Sequence, residues 1–198
     1  MRAASPARLY LVTPVRADLE ALLEAAVRGG ADMVQVREKG LSDGELLRAL
    51  ERARAVTRRL GVPLVVNDRP DLAALCEADY VHLGQDDLPV DAARRFGMRV
   101  GLSTHASEEI DRAEADYVGV GPVFATPTKE GRPPLGLELI SYAAERARQP
   151  WFAIGGIDGT NVADVVAAGA RNVAVVRAIV EAPDPERAAR ELRAALPA

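Results

Sequence analysis

The residues of this chain that could do chemistry gather just after short apolar runs. In "DMVQVREKG", Gln35, Arg37 and Lys39 alternate with Val36 and Glu38, so an extended backbone turns all three to one side. A guanidinium beside a compact ammonium suits the oxygens of a di- or triphosphate. The other reading of the pair is an ordinary salt bridge to a neighbouring loop. "VVNDRP" and "HLGQDD" place Asn67, Asp68, Asp86 and Asp87 after two successive runs. Two carboxylates meeting beside a polyphosphate make a Mg²⁺ site, because that ion takes one or two carboxylates together with phosphate oxygens and water. The same aspartates could instead cap the helices that follow, and by residue type Asp86 serves as well as Asp87. The stretch "GPVFATPTKEGRPPLG", Gly121 to Gly136, closes an apolar run with Thr126, Thr128 and Lys129, a set suited to an anion. Gly155-Gly156 and Val176-Arg177 follow the last two runs, where backbone N–H groups can approach a phosphate closely.

The chain as a whole carries a formal net charge of −4. A phosphate-bearing ligand must therefore be held by local positive charge or a metal, and the balance argues against nucleic acid as a partner. Of 25 basic residues only Lys39 and Lys129 are lysine, and both follow strand-like runs. The lone Cys76 rules out an internal disulfide, fits a reducing cytoplasm, and reads as a small packing residue in "DLAALCEA". No apolar run is long enough to span a bilayer, and "RLYLVT" reads as a strand rather than a signal-peptide core. His82, inside "YVHLGQ", reads as a packed residue. His105, just past Ser103, is better placed for ligand contact. Trp151 and Phe152 read as core.

Eight β-rich runs are needed to position these groups: "RLYLVT", "DMVQVRE", "PLVVND", "YVHLGQ", "RVGLST", "YVGVGPVF", "WFAIGG" and "NVAVVRAI". Helical patterns lie between them, with apolar residues at three- and four-residue spacing, as in Leu46, Leu47, Leu50 and Ala53. Ser42 with Glu45 forms a capping-box pattern, and Gly29-Gly30 and Gly169 stand where helices should stop. Continuous apolar strands alternating with helices predict an all-parallel sheet covered by helices. Eight such units predict an α/β fold of the (β/α)₈ TIM-barrel type, one domain over 1–198, with its chemistry at the C-terminal ends of the strands. A doubly wound sheet would call for a Gly-rich loop after the first strand, and "LVTPVRADLE" has none.

Read in order, "QVREKG", "VVNDRPDLA", "ADYVHLGQDDLPV", "VGLSTHA", "ADYVGVGPVFATPTK" with "PLGLELI", and "AIGGI" resemble the thiamine phosphate synthase family. The resemblance runs from about residue 9 to the C-terminus. It implies a cytoplasmic (β/α)₈ transferase that displaces pyrophosphate from hydroxymethylpyrimidine diphosphate with the ring nitrogen of a thiazole phosphate. Carried over by position, Gln35, Val36, Arg37, Glu38, Lys39, Asn67, Ser103 and Lys129 would bind the pyrimidine diphosphate, with Arg37, Lys39, Lys129 and Ser103 as the catalytic set. Asp68 and Asp87 would hold Mg²⁺, which selects Asp87 over Asp86. Thr126, Pro127, Thr128, Gly156, Val176 and Arg177 would take the thiazole phosphate, and Gly131 to Pro134 could close as a lid. Partners would be these small-molecule substrates, with neither nucleic acid nor membrane; a homo-oligomer is left open.

The family commonly has a serine where this chain has Arg177. A backbone N–H contact would survive that change, and a contact through the hydroxyl would not. The nearest alternative is a thiazole tautomerase-like isomerase, whose catalytic histidine would fall at Pro122, which cannot transfer a proton. An unrelated sugar-phosphate barrel enzyme is suggested by fold analogy alone. A non-catalytic regulator of the thiamine pathway is a further alternative from another class.

Overall fold

The computed structural model describes residues 7–126 and 133–197. Eight parallel strands close into a barrel in sequence order. They are β1 (Leu9–Thr13), β2 (Met33–Val36), β3 (Leu64–Asn67), β4 (Tyr80–Leu83), β5 (Arg99–Thr104), β6 (Tyr117–Val120), β7 (Trp151–Ile154) and β8 (Val173–Val175). Closure comes from β8 pairing back on β1, with Leu9 opposite Val173 and Leu11 opposite Val175. The helices are α1 (Leu19–Arg28), α2 (Asp43–Leu60), α3 (Pro70–Leu75), α4 (Val90–Arg94), α5 (Ser107–Arg112), α6 (Glu138–Arg146), α7 (Val162–Ala167), α8 (Arg177–Val180) and α9 (Pro185–Ala195).

Strand alternation sorts the core into two parts. Leu11, Val34, Val36, Val66, Val81, Val118 and Val120 face outward into the layer under the helices. Tyr10, Val12, Met33, Val65, Tyr117, Phe152 and Ala174 fill the barrel interior. A glycine makes room for one of the large interior rings. A Cβ on Gly101 would lie 2.1 Å from Cζ of Tyr117, its register partner on β6.

Helix ends follow their local chemistry. The Ser42 N–H donates to the Glu45 carboxylate at 3.0 Å, the reciprocal half of the expected capping box. Asp184 caps α9 by accepting from the Arg187 N–H at 2.9 Å. Gly30 and Gly169 take φ of 111° and 107° where α1 and α7 stop. A further pattern recurs at the bottom of the barrel. Asp32, Asp79 and Asp116, each just before an even-numbered strand, accept backbone N–H groups at the start of the preceding strand, from Arg8 and Leu9, Leu64, and Val100.

Two strand expectations are shortened. "NVAVVRAI" is strand only to Val175, because Val176 turns to φ −116° and ψ −87° and starts the short α8. "YVGVGPVF" is strand only to Val120; after it come Gly121 at φ 156° and a cis Gly121–Pro122 peptide. Val123 and Phe124 N–H groups then bond to the Ile154 and Gly155 carbonyls, each at 2.9 Å. Cys76 is buried at the end of α3, where burial raises its thiol pKa.

Candidate active site

All eight strands open onto one end of the barrel, and a cavity of about 660 Å³ lies there. Its walls come from the strand exits, and several exits are fixed by local hydrogen bonds. Glu38 does this for β1 and β2. Its carboxylate accepts the Val15 N–H at 3.3 Å and the Lys39 and Gly40 N–H groups at 2.9 Å each. That leaves Gln35, Arg37 and Lys39 lining the cavity, as their alternation predicts. Val36 is buried on the opposite face against the helix layer, and the Glu38 carboxylate is occupied by backbone. The expectation of a contact at every position from Gln35 to Lys39 therefore narrows, for side chains, to the three odd-numbered residues.

Arg37 is half-buried and forms no ion pair among the described residues. Lys39 takes the salt-bridge alternative in part: its Nζ is 3.0 Å from Asp68 Oδ2. Asp68 sits in the left-handed region at φ 62°, with the Arg69 N–H bonded back to the Asn67 carbonyl at 2.8 Å. Neither metal candidate caps a helix, since the cap positions before α3 and α4 belong to Arg69 and Pro89. Asp87 Oδ2 accepts the Gly84 N–H at 2.6 Å. Burial raises the Asp68 carboxyl pKa, the facing Asp87 adds to the rise, and the Lys39 ammonium opposes it. Asp86 also lines the cavity, but Asp87 is the carboxylate that interacts with Asp68.

These groups fit Mg²⁺ by their chemistry. They offer only oxygen, two carboxylates meet, and a cationic ammonium already sits against one of them. No group of three or more His, Cys, Asp or Glu that could hold a metal occurs among the described residues. Two protein ligands would leave the remaining positions to phosphate and water, as that ion prefers.

Asn67 is 7 % exposed, lines the cavity, and its Nδ2 has no hydrogen-bond partner. A buried amide donor left unpaired is costly and calls for an acceptor from elsewhere. Ser103 is buried at the end of β5, with Gln85 Nε2 donating to its carbonyl at 2.6 Å. His105, expected near the ligand, lines the cavity and joins two exits: its Nδ1 meets the Gly121 carbonyl and its N–H donates to Glu109 at 2.6 Å.

Opposite this charged wall, Thr126, Gly156, Val176 and Arg177 line the cavity. Gly156 takes φ 67°, and a Cβ there would lie 2.8 Å from Phe124 Cβ and 2.9 Å from the Ala125 carbonyl oxygen. Asn161 fixes the turn by donating from Nδ2 to the Gly156 carbonyl at 2.8 Å and accepting the Asp158 N–H at 3.0 Å. Arg177 is exposed and starts α8, so the 176–177 backbone lies at the cavity edge. Pro127, Thr128 and Lys129 lie outside the described residues, as do positions 131 and 132 of the expected lid.

Sequence reasoning undervalued the cavity floor. His82, read as packing, lines the cavity with Tyr10 and Phe152, and it bonds to both Tyr117 and Ser103. The available signal was a histidine at an inward strand position directly before Ser103 in barrel order. No helix among the described residues is long and apolar enough to cross a membrane.

Comparison with known proteins agrees with this geometry. A family model described as thiamine monophosphate synthase matches residues 9–179. The chain is 55% identical over 197 residues to the thiamine-phosphate synthase of Thermus thermophilus, covering 94% of this chain and 95% of that protein. It is 50% identical over 203 residues to that of Acidothermus cellulolyticus, covering 97% and 96%. Thiamine phosphate pyrophosphorylase from Pyrococcus furiosus superposes with a TM-score of 0.85 at 32% identity, covering 95% of this chain and 94% of that one. A 3-hexulose-6-phosphate synthase, at TM-score 0.69 and 22% identity over 96% of this chain and 100% of that one, shares the fold alone.

Proposed function

The chain belongs to the thiamine monophosphate synthase family and is a transferase, and we propose that it joins hydroxymethylpyrimidine diphosphate to a thiazole phosphate, releasing thiamine phosphate and pyrophosphate. The observation that supports this reading is that one cavity has two walls whose groups suit anions. Arg37, Lys39 and the unpaired Asn67 amide lie on one side, and the Gly156 turn with the 176–177 backbone lies on the other.

In the proposed reaction the C–O bond to the diphosphate breaks with its electron pair leaving on pyrophosphate. The thiazole nitrogen then gives its lone pair to the pyrimidinylmethyl carbon. No proton need move, so no side-chain nucleophile or base is required. Arg37 and Lys39, with Lys129 from the 127–132 segment, would hold the diphosphate and stabilise charge as it builds on the leaving group. Asn67 would donate to a substrate oxygen or ring nitrogen, satisfying its amide. Asp68 and Asp87 would hold Mg²⁺, which when bound supplies positive charge to the departing pyrophosphate. Gln35 and Ser103 would orient the pyrimidine ring above a floor of Tyr10 and Phe152, which keeps the methylene carbon dry. Thr126, Thr128, Gly156 and the 176–177 N–H groups would seat the thiazole phosphate, and Pro127 would shape the loop between the threonines.

The test is incubation of the purified chain with both substrates and Mg²⁺, with products identified by mass spectrometry. Thiamine phosphate and pyrophosphate should form in equal amounts. Pyrophosphate with free hydroxymethylpyrimidine would mean that water, not thiazole, captures the cation. A folded protein that forms neither product would overturn the assignment.

A further inference from the structure

Along the cavity floor runs a chain of side-chain hydrogen bonds whose two ends are the groups assigned to the pyrimidine ring. Gln35 Nε2 donates to the Tyr10 hydroxyl. The Tyr10 and Tyr117 hydroxyls are 2.9 Å apart, and Tyr117 Oη is 2.9 Å from His82 Nδ1. His82 Nε2 is then 2.9 Å from Ser103 Oγ. Five side chains from β1, β2, β4, β5 and β6 are thus joined across the barrel. The Tyr117 ring reaches its place in the chain because Gly101 leaves room: a Cβ there would lie 2.1 Å from Tyr117 Cζ. The His82 ring stacks on Tyr117, centroids 5.5 Å apart at 30°.

Each interior member can serve both neighbours in only one sense at a time. A phenol donates one proton, and a neutral imidazole donates from one nitrogen and accepts at the other. Fixing the direction of one bond therefore fixes them all. With the Gln35 amide donating, Tyr10 must donate to Tyr117, and Tyr117 to His82 Nδ1. His82 then carries its proton on Nε2 and donates to Ser103. At the ends, Gln35 keeps its carbonyl oxygen for a ligand donor, and the Ser103 hydroxyl directs its own proton away from His82. Were the amide turned over, every bond would reverse and both ends would change character together. Burial raises the pKa of both phenols well above the ordinary tyrosine value, so Tyr10 and Tyr117 each keep their one proton at neutral pH.

We infer that Tyr10, Tyr117 and His82 are positioning residues that form a proton-ordered relay, coupling the hydrogen-bonding polarity of Gln35 to the opposite polarity of Ser103. The ligand it selects is a heteroaromatic ring with an amino donor for Gln35 and a ring-nitrogen acceptor for Ser103. A ring with oxo in place of amino meets the wrong end at Gln35, and accepting it would require reversing four bonds at once. The identity of the ring rests on the proposed function; the relay itself is a property of the chain without substrate.

Long-range ¹H–¹⁵N correlation spectra of the histidine rings test it on substrate-free protein. The chain has two histidines, and a His105→Gln variant identifies which signals belong to His82. His82 should be a single tautomer with the proton on Nε2. In Tyr117→Phe the Nδ1 donor is gone, and both tautomers should appear. In Gln35→Glu, once the new carboxyl is ionised by its ¹³C shift, the chain should reverse and the proton move to Nδ1, although Gln35 does not touch His82. A doubly protonated ring, a tautomer mixture in the wild type, or a tautomer indifferent to Tyr117→Phe would overturn the relay. Kinetics give a second readout. The preference in kcat/KM for the aminopyrimidine over its oxo analogue should fall by about two- to tenfold in Tyr117→Phe, the effect of one hydrogen bond to the ring, mainly through KM of the amino substrate. A lowered Tm with that preference intact would reduce Tyr117 to packing. If the wild type forms no product, the function fails while the tautomer experiment still decides the relay.

Discussion

Gly156 offers a sharp test of how the second wall of the cavity is built, because three other glycines separate the effects of strain and crowding. Alanine at φ 67° carries the left-handed backbone cost of about 1–2 kcal/mol. Its Cβ would also meet Phe124 Cβ at 2.8 Å and the Ala125 carbonyl at 2.9 Å. Relieving that contact in a packed wall costs about 1–3 kcal/mol more. Gly156→Ala should therefore lose about 2–5 kcal/mol, a fall in Tm of roughly 4–20 °C for a chain of this size. Gly61 has φ 71° and Gly136 φ 74°, and a Cβ at either meets nothing within 4 Å. Alanine there should cost the backbone term alone. A Cβ on Gly159 also meets nothing within 4 Å, and no left-handed φ opposes it, so Gly159→Ala should be neutral. Thermal and urea unfolding of the four variants gives the ranking. Because the Phe124–Thr126 segment must move, KM for thiazole phosphate should rise by about 10–100-fold, the loss of a hydrogen bond to a charged group. KM for the pyrimidine diphosphate should stay near wild type. If Gly156→Ala unfolds like Gly61→Ala, the close approach to residues 124 and 125 is wrong. If KM for the pyrimidine substrate rises instead, the two walls have been assigned the wrong way round.

Asp68→Asn should raise Tm of the metal-free protein at neutral pH. Burial and Asp87 hold the folded carboxyl pKa above its ordinary 3.8, so its ionised form opposes folding. The stability of the wild type relative to the variant is fully present below the unfolded pKa and is lost as pH rises through the folded value. Asparagine tolerates the left-handed backbone at this position, and an unchanged or lower Tm would contradict the reasoning. Arg69 should show the opposite slope. It holds Asp43 and Asp71 through bonds of 2.6 Å each, and both carboxyls lie below their ordinary 3.8. The stability lost in Arg69→Ala should therefore be present above 3.8 and shrink as the pH falls further, with a small effect throughout because Asp43 is exposed. A Tm difference independent of pH would refute it. Asp87→Asn should raise the Mg²⁺ concentration for half-maximal rate and leave Tm nearly unchanged, since Asp87 is exposed; an unaltered metal titration would remove it from the ligand set.

Much of the site was legible because a strand exit is a local feature. The alternation in "QVREK" set Gln35, Arg37 and Lys39 on one side whatever the tertiary structure. The barrel then brought Asp68 and Asp87 together, since β3 and β4 are neighbours. The capping box at Ser42 and the stops at Gly30 and Gly169 were equally local. What sequence did not reveal is set across the barrel. His82 read as packing because nothing beside it in sequence shows that Tyr117 and Ser103 lie within 2.9 Å. Nothing within "RVGLST" shows that the Tyr117 ring packs against Gly101. Val36 and Glu38 came from the family resemblance, and sequence alone did not show that the pleat turns the Val36 side chain outward while backbone N–H groups occupy the Glu38 carboxylate. The end of β8 was misread because "VVRAI" suits strand and helix alike, and the turn at Val176 is backbone geometry that no residue type announces.

The measurement that bears most directly on the central claim is the initial rate of pyrophosphate release from hydroxymethylpyrimidine diphosphate and thiazole phosphate, with Mg²⁺ and with a chelator in its place. A leaving group held by Arg37, Lys39 and an ion on Asp68 and Asp87 predicts rapid release with Mg²⁺ and a rate lower by 10²-fold or more in the chelator. Equal rates under both conditions, or no release from folded protein, would contradict it.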